Sequence, residues 1–155
     1  MEAREEDERF FAEWFGMMMQ TAQRQGVSAR EAVGSGSALC FERNGMREKL
    51  GGISDLDGFA AVLRRDFGWT VEQEKTGVLL CHENNEACLC PIVRLREGNV
   101  SGAICFCTEK ELERMAECAT GRKAKATVLH SYVRDGQSCV YRIEVSGAET
   151  ADDRE

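Results

Sequence analysis

ATVLHSYVRDGQSCVYRIEV, residues 126–145, is the stretch whose reading decides the fold. Apolar and polar residues alternate on both sides of Asp135-Gly136, a dipeptide suited to a type I′ turn, so 126–134 and 137–145 are expected as the strands of a β-hairpin. A two-residue turn would set Tyr132 opposite Cys139, His130 opposite Tyr141 and Val128 opposite Ile143. Directly opposed residues share a face, so all six are expected on the buried side, with His130 diagonal to Cys139.

Working outward, Thr108-Glu109-Lys110-Glu111 reads as a capping box opening a helix whose Leu112, Met115, Ala116 and Ala119 face the core and which Gly121 closes. Residues 100–107 are expected as a buried strand running into that helix. Cys107 would then sit just before a helix N-terminus, where amides and macrodipole favour thiolate. Arg96-Glu97-Gly98-Asn99 is a turn, and 87–95, with the only proline, is an edge strand or irregular loop because Pro91 has no amide to give a ladder. Residues 69–74 and 78–82 read as two strands joined through Lys75-Thr76-Gly77, with a further turn at 83–86.

Helical spacing dominates the first half. Phe11, Trp14, Phe15, Met18 and Ala22 form an aromatic stripe over 4–24, read as core packing, a pocket wall or a dimer seam. Ser28-Ala29-Arg30-Glu31 is a second capping box, and Gly34-Ser35-Gly36-Ser37 reads as a flexible joint. Leu56, Phe59, Ala60, Leu63 and Phe67 line a helix over 55–66 that Gly68 ends. The fold class is α+β, with N-terminal helices packed on an antiparallel sheet and a C-terminal β-hairpin. Residues 1–146 read as a single domain and 147–155 as a disordered acidic tail.

A net charge of −7 argues against a nucleic-acid partner, which favours a basic patch. No stretch approaches the roughly 20 apolar residues of a membrane span, and the acidic start lacks a signal-peptide pattern. A cytoplasmic location with no membrane partner is expected, where the eight cysteines stay reduced unless a metal holds them. Walker, dinucleotide and His-Glu-x-x-His motifs are absent.

The chemistry concentrates in Cys88-Leu89-Cys90-Pro91, Cys105-Phe106-Cys107, His130 and Cys139. Thiolates and imidazole are soft metal ligands, and thiolate is also a nucleophile. In a strand, residues i and i+2 lie about 7 Å apart, whereas two sulfurs on one zinc are roughly 3.8 Å apart. Each Cys-x-Cys can therefore chelate only where the backbone bends. Cys81 and Cys118 have no partner pattern and read as small core residues, His82 reads as a surface residue, and Cys40 stays open between core and site.

From Cys88 to Val145 the chain resembles a family of small cysteine-rich bacterial and archaeal proteins allied to the vinyl reductase domain and to aminothiazoline-carboxylate hydrolase-like proteins. The likeness is carried by the Cys-x-Cys-Pro segment, the second Cys-x-Cys, the helix closed by Gly121, and Gly136 ahead of Cys139. Sensor members of the vinyl reductase group hold zinc with one cysteine ahead of the helix and two on the final hairpin. By position, Cys105 matches the first and Cys139 the last, and Ser131 stands where the middle one would be, with His130 beside it. The resemblance implies a small-molecule pocket between helix and sheet.

Three readings follow. The first is a small-molecule-binding or sensory domain with a zinc site drawn from Cys88, Cys90, Cys105, Cys107, His130 and Cys139, an iron-sulfur cluster being the alternative cofactor, and with Trp14, Phe15 and Phe59 lining the pocket. The second is a cysteine-dependent hydrolase or redox protein with Cys107 as nucleophile and His130 as its base. The third is a metal-free interaction protein that forms a homodimer through its aromatic first helix.

Overall fold

The computed structural model describes residues 2–95 and 101–147. Helix α1 spans Glu2–Arg24 and α2 spans Ala29–Gly34, the latter opened by Ser28, whose hydroxyl accepts the Glu31 amide as the capping box requires. Two short helices follow, α3 at Ser37–Arg43 and α4 at Met46–Lys49. Helix α5, Leu56–Phe67, starts at an Asp55 cap and ends at Gly68, whose φ of 70° suits glycine. Strands β1 (Thr70–Lys75) and β2 (Val78–His82) form a hairpin, then α6 (Pro91–Leu95) carries its proline in the first turn, where a missing amide costs nothing. Helix α7 (Cys105–Thr120), β3 (Ala124–His130), α8 (Tyr132–Asp135) and β4 (Val140–Val145) complete the chain.

The sheet is antiparallel in the order β1-β2-β4-β3. Its registers align Val71, Cys81, Tyr141 and Val128 in one row across all four strands, and Leu79, Ile143 and Ala126 in the next. All seven are buried, and onto them pack Leu112, Met115, Ala116 and Ala119 of α7 and Phe59 and Leu63 of α5. This is the expected α+β architecture of helices on an antiparallel sheet. No helix among the described residues is long and apolar enough to cross a membrane.

A row of carboxylates joins α7 to the sheet. Residues four apart on a helix are separated by about 6 Å, close to the roughly 6.7 Å between alternate residues of a strand. Glu109, Glu113 and Glu117 match Val128, Ala126 and Ala124 in that way. Their Oε1 atoms accept the three backbone amides at 2.9, 3.2 and 3.2 Å. These amides lie on the edge of β3 away from β4, so the helix satisfies donors that no strand reaches.

Several local expectations give way. The hairpin pairs Val128 with Tyr141 and Ala126 with Ile143, two residues from the expected register, because β3 ends at His130. Ser131 accepts the Arg134 amide at 3.2 Å and caps α8, while Gly136 at φ 71° ends it. Asp135-Gly136 therefore closes a helical turn in place of a type I′ hairpin. A bulge between Val128 and His130 also turns the histidine off the buried face.

Residues 101–107 are not a strand. Ser101 caps a 3₁₀ turn, Gly102–Ile104, that runs into α7, so Cys105 and Cys107 occupy a helix and Thr108 lies inside it. The turn at 96–99, the start of the expected strand at Val100 and the tail beyond Gly147 lie outside the described residues.

On α1, Ala12 is buried while Phe10, Phe11, Trp14, Met17 and Met18 are exposed, so the aromatic stripe does not enter the core. The Gly34–Ser37 stretch is a close-packed corner against α7. A Cβ on Gly34 would lie 2.7 Å from Lys110 Cγ, and the fully buried Ser37 accepts a 2.8 Å bond from Arg114.

Candidate functional site

Between α7, the mouth of the sheet and the segment 84–90 lies a cavity of about 390 Å³. Six cysteines line it: Cys40 from α3, Cys88 and Cys90 from the irregular segment before α6, Cys105 and Cys107 from the first turn of α7, and Cys139 from the approach to β4. Of the six residues expected to form a metal site, the structure gathers five around this space. His130 is elsewhere. It is exposed, and its Nδ1 pairs with Asp135 Oδ2 at 3.0 Å. The Cys107–His130 nucleophile-and-base pair is thus not assembled.

Aromatic rings form another wall. Phe67, Trp69 and Tyr141 pack in series with tilted rings, their centroids 5.5 and 5.4 Å apart. The expected lining residues are placed differently: Phe59 is fully buried in the core, Trp14 is exposed, and Phe15 borders a separate cavity of about 150 Å³ beside α1. Cys81 is also core, and burial pushes its thiol up to about 12, whereas Cys118 is exposed.

The thiols fall into two groups. Cys105 donates to Ser131 Oγ at 3.3 Å, and Cys139 Sγ receives Asn85 Nδ2 at 3.7 Å. Burial raises the pKa of Cys88 and of Cys105, partly offset at Cys105 by the Ser131 hydroxyl, and Cys88, Cys90, Cys105 and Cys139 are near enough to feel one another's charge. In the other group, Cys40 and Cys107 face each other at 4.0 Å. Either sulfur can donate to the other, and the shared hydrogen bond lowers the Cys40 thiol to about 7 against partial burial while raising Cys107. Glu111 opposes a charge on Cys40 and Arg43 favours it.

Two carboxyls complete the electrostatics. Burial raises Glu83, which faces Cys139 and Tyr141, and Glu111, which accepts a 2.9 Å bond from Asn44. The cavity wall thus disfavours charge on both acids.

Asn85 holds the segment 84–90 to the sheet. Its Oδ1 accepts the Cys139 amide at 3.2 Å and the Ser138 hydroxyl at 2.9 Å, and its carbonyl accepts Tyr132 Oη at 2.7 Å. Ser131, 2% exposed, stands beside Cys105 where strand parity had placed His130. Cys40, Asn85 and the half-buried Glu83 were not among the expected site residues. Only the Asn84-Asn85 turn signal pointed near one of them.

Cys105, Ser131 and Cys139 do converge, and the thiols suit zinc chemically. Yet no three His, Cys, Asp or Glu side chains among the described residues are grouped as ligands of one ion. The donors fit in type and are spread around the cavity in position. No protein-family model, curated protein or solved structure matches the chain.

Proposed function

We propose that the protein is a ligand-binding or sensory domain whose cavity takes a small thiophilic ligand. The observation that carries this reading is the convergence of six thiols from four chain segments on a space of about 390 Å³, a volume typical of small-molecule sites. An inert core would pack such groups against neighbours. Here they face a cavity, opposite the aromatic wall of Phe67, Trp69 and Tyr141.

Zinc is the ion that the donor set suits in chemistry. Cys88, Cys90, Cys105 and Cys139 would hold it, closing its tetrahedral shell and stapling the segment 84–90 to α7 and the approach to β4 beside the ligand space. Binding would require the 84–90 segment to draw inward and the thiols to release protons, so affinity rises with pH.

The test is elemental analysis of anaerobically purified protein, followed by zinc titration in competition with a chromophoric chelator. About one zinc per chain is expected, with affinity reduced about tenfold or more in Cys139→Ser. Iron with acid-labile sulfide would replace zinc in this reading. Absence of any tight metal, with zinc affinity unchanged in Cys139→Ser, would remove the metal from it.

A further inference from the structure

The Cys40–Cys107 pair stands apart from the four cysteines assigned above to zinc. The fold brings its sulfurs together with care. Gly34 leaves room for Lys110 Cγ at a distance no Cβ would tolerate, and the vacant Cβ position of Gly36 lies 3.9 Å from Cys107 Sγ. Arg114 fixes the Ser37 hydroxyl at 2.8 Å, tying the start of α3 to α7. With the corner pinned, Cys40 Sγ lies 4.0 Å from Cys107 Sγ, and both line the cavity.

We propose that Cys40 and Cys107 form a redox-active dithiol that reduces small organic disulfides admitted to the cavity. The sulfurs must close by about 2 Å to reach the length of a disulfide bond.

The roles follow from their surroundings. Cys40, on the short helix α3, is assigned the attack, and Cys107, in the first turn of α7 behind the Gly36 corner, resolves.

In the first step the Cys40 thiolate attacks one sulfur of RS–SR, the S–S bond breaks, and RS⁻ leaves with the bonding pair. In the second, Cys107 attacks the Cys40 sulfur of the mixed disulfide, releasing the second RS⁻ and its own proton. The sum is Cys40–S⁻ + Cys107–SH + RSSR → Cys40–S–S–Cys107 + RS⁻ + RSH. The protein gives up two electrons and the substrate accepts them.

Oxidised glutathione serves as the probe. The reduced full-length chain is mixed with it anaerobically at neutral pH, free thiols are alkylated at intervals, and tryptic peptides are mapped by tandem mass spectrometry. Peptide 31–43 carries Cys40, and peptide 97–110 carries Cys105 and Cys107, which fragmentation separates. The expected result is loss of two of the eight thiols as a Cys40–Cys107 cross-link, ahead of any adduct at exposed Cys118. In Cys107→Ser the reaction should stop with glutathione held on Cys40.

Glutathione appearing on Cys118 while Cys40 and Cys107 stay reduced, or a cross-link through Cys105, would overturn the proposal. The mapping on the unsubstituted chain decides independently of whether the Cys107→Ser chain folds. Zinc content measured on the same sample separates this outcome from that of the metal reading.

Discussion

Glu113→Ala tests whether α7 is bonded to the sheet edge as described. Glu113 is 8% exposed; its Oε1 accepts the Ala126 amide at 3.2 Å and Arg30 Nη2 at 2.6 Å, while Oε2 accepts Lys110 Nζ at 2.9 Å. Truncation strands a buried backbone amide that had a charged acceptor, a loss of about 1.5–3 kcal/mol. Arg30 and Lys110 keep access to water, so each lost ion pair adds only about 0.2–1 kcal/mol. A total of about 2–5 kcal/mol follows, lowering the melting temperature by about 2–4 °C per kcal/mol in a chain of this size.

The assay is urea and thermal unfolding by circular dichroism, with amide hydrogen exchange at Ala126. Glu117→Ala is the control, because that side chain is 35% exposed and bonds Ala124 at 3.2 Å. The control should cost about 1 kcal/mol or less. Glu113→Gln retains an acceptor for Ala126 and should fall between them. Equal losses for Glu113→Ala and Glu117→Ala, or unchanged exchange at Ala126, would refute the reasoning.

Further outcomes concern pH and packing. Burial alone would raise Glu113, but Lys110, the Ala126 amide and Arg30 hold it below the usual carboxylate range. Its contribution is therefore complete above an unfolded pKa of about 4.3 and is lost as pH falls through the lower folded value. The gap between wild type and Glu113→Ala should shrink across that window in acid unfolding curves; a constant gap would contradict it. Glu83 has the opposite sign: its folded pKa is raised chiefly by burial, so its charge costs stability at neutral pH. Glu83→Gln should raise the melting temperature at pH 7, an advantage that vanishes below the unfolded pKa, and a lower melting temperature at pH 7 would argue against an uncompensated carboxylate. Gly34→Ala should cost about 1–3 kcal/mol through overpacking against Lys110, where a truly flexible corner would register nothing by denaturant titration.

The features that local chemistry writes into the sequence were legible. Ser28, Asp55, Gly68 and Gly121 mark helix ends where the caps are observed, and β2 lies at its expected residues. Asp135-Gly136 was ambiguous, since glycine at positive φ serves a type I′ turn and a helix end alike; Ser131, four residues before Asp135, supplied the cap that decided it. Once β3 stopped early, the bulge sent His130 outward and brought Ser131 inward, a change that a period-two reading cannot register. Five cysteines of the cavity were read from their spacing. Cys40 was not, because its partner is 67 positions away and only the docking of α3 on α7 joins them. The α1 stripe was visible as a pattern, but its facing depends on neighbours that periodicity does not contain.

A four-stranded open sheet has two borders at which another chain could continue it. At β3 the outward amides of Ala124, Ala126 and Val128 are already spent on glutamates of the same molecule. An incoming strand would find carbonyls with no donors between them, and would have to dislodge a helix that is part of the core. Growth of the sheet from one molecule to the next is thus blocked on that side by the element that builds the cavity, and the border left to guard is β1. There charge does the work: Glu72, Glu74 and Lys75 stand exposed along the other border.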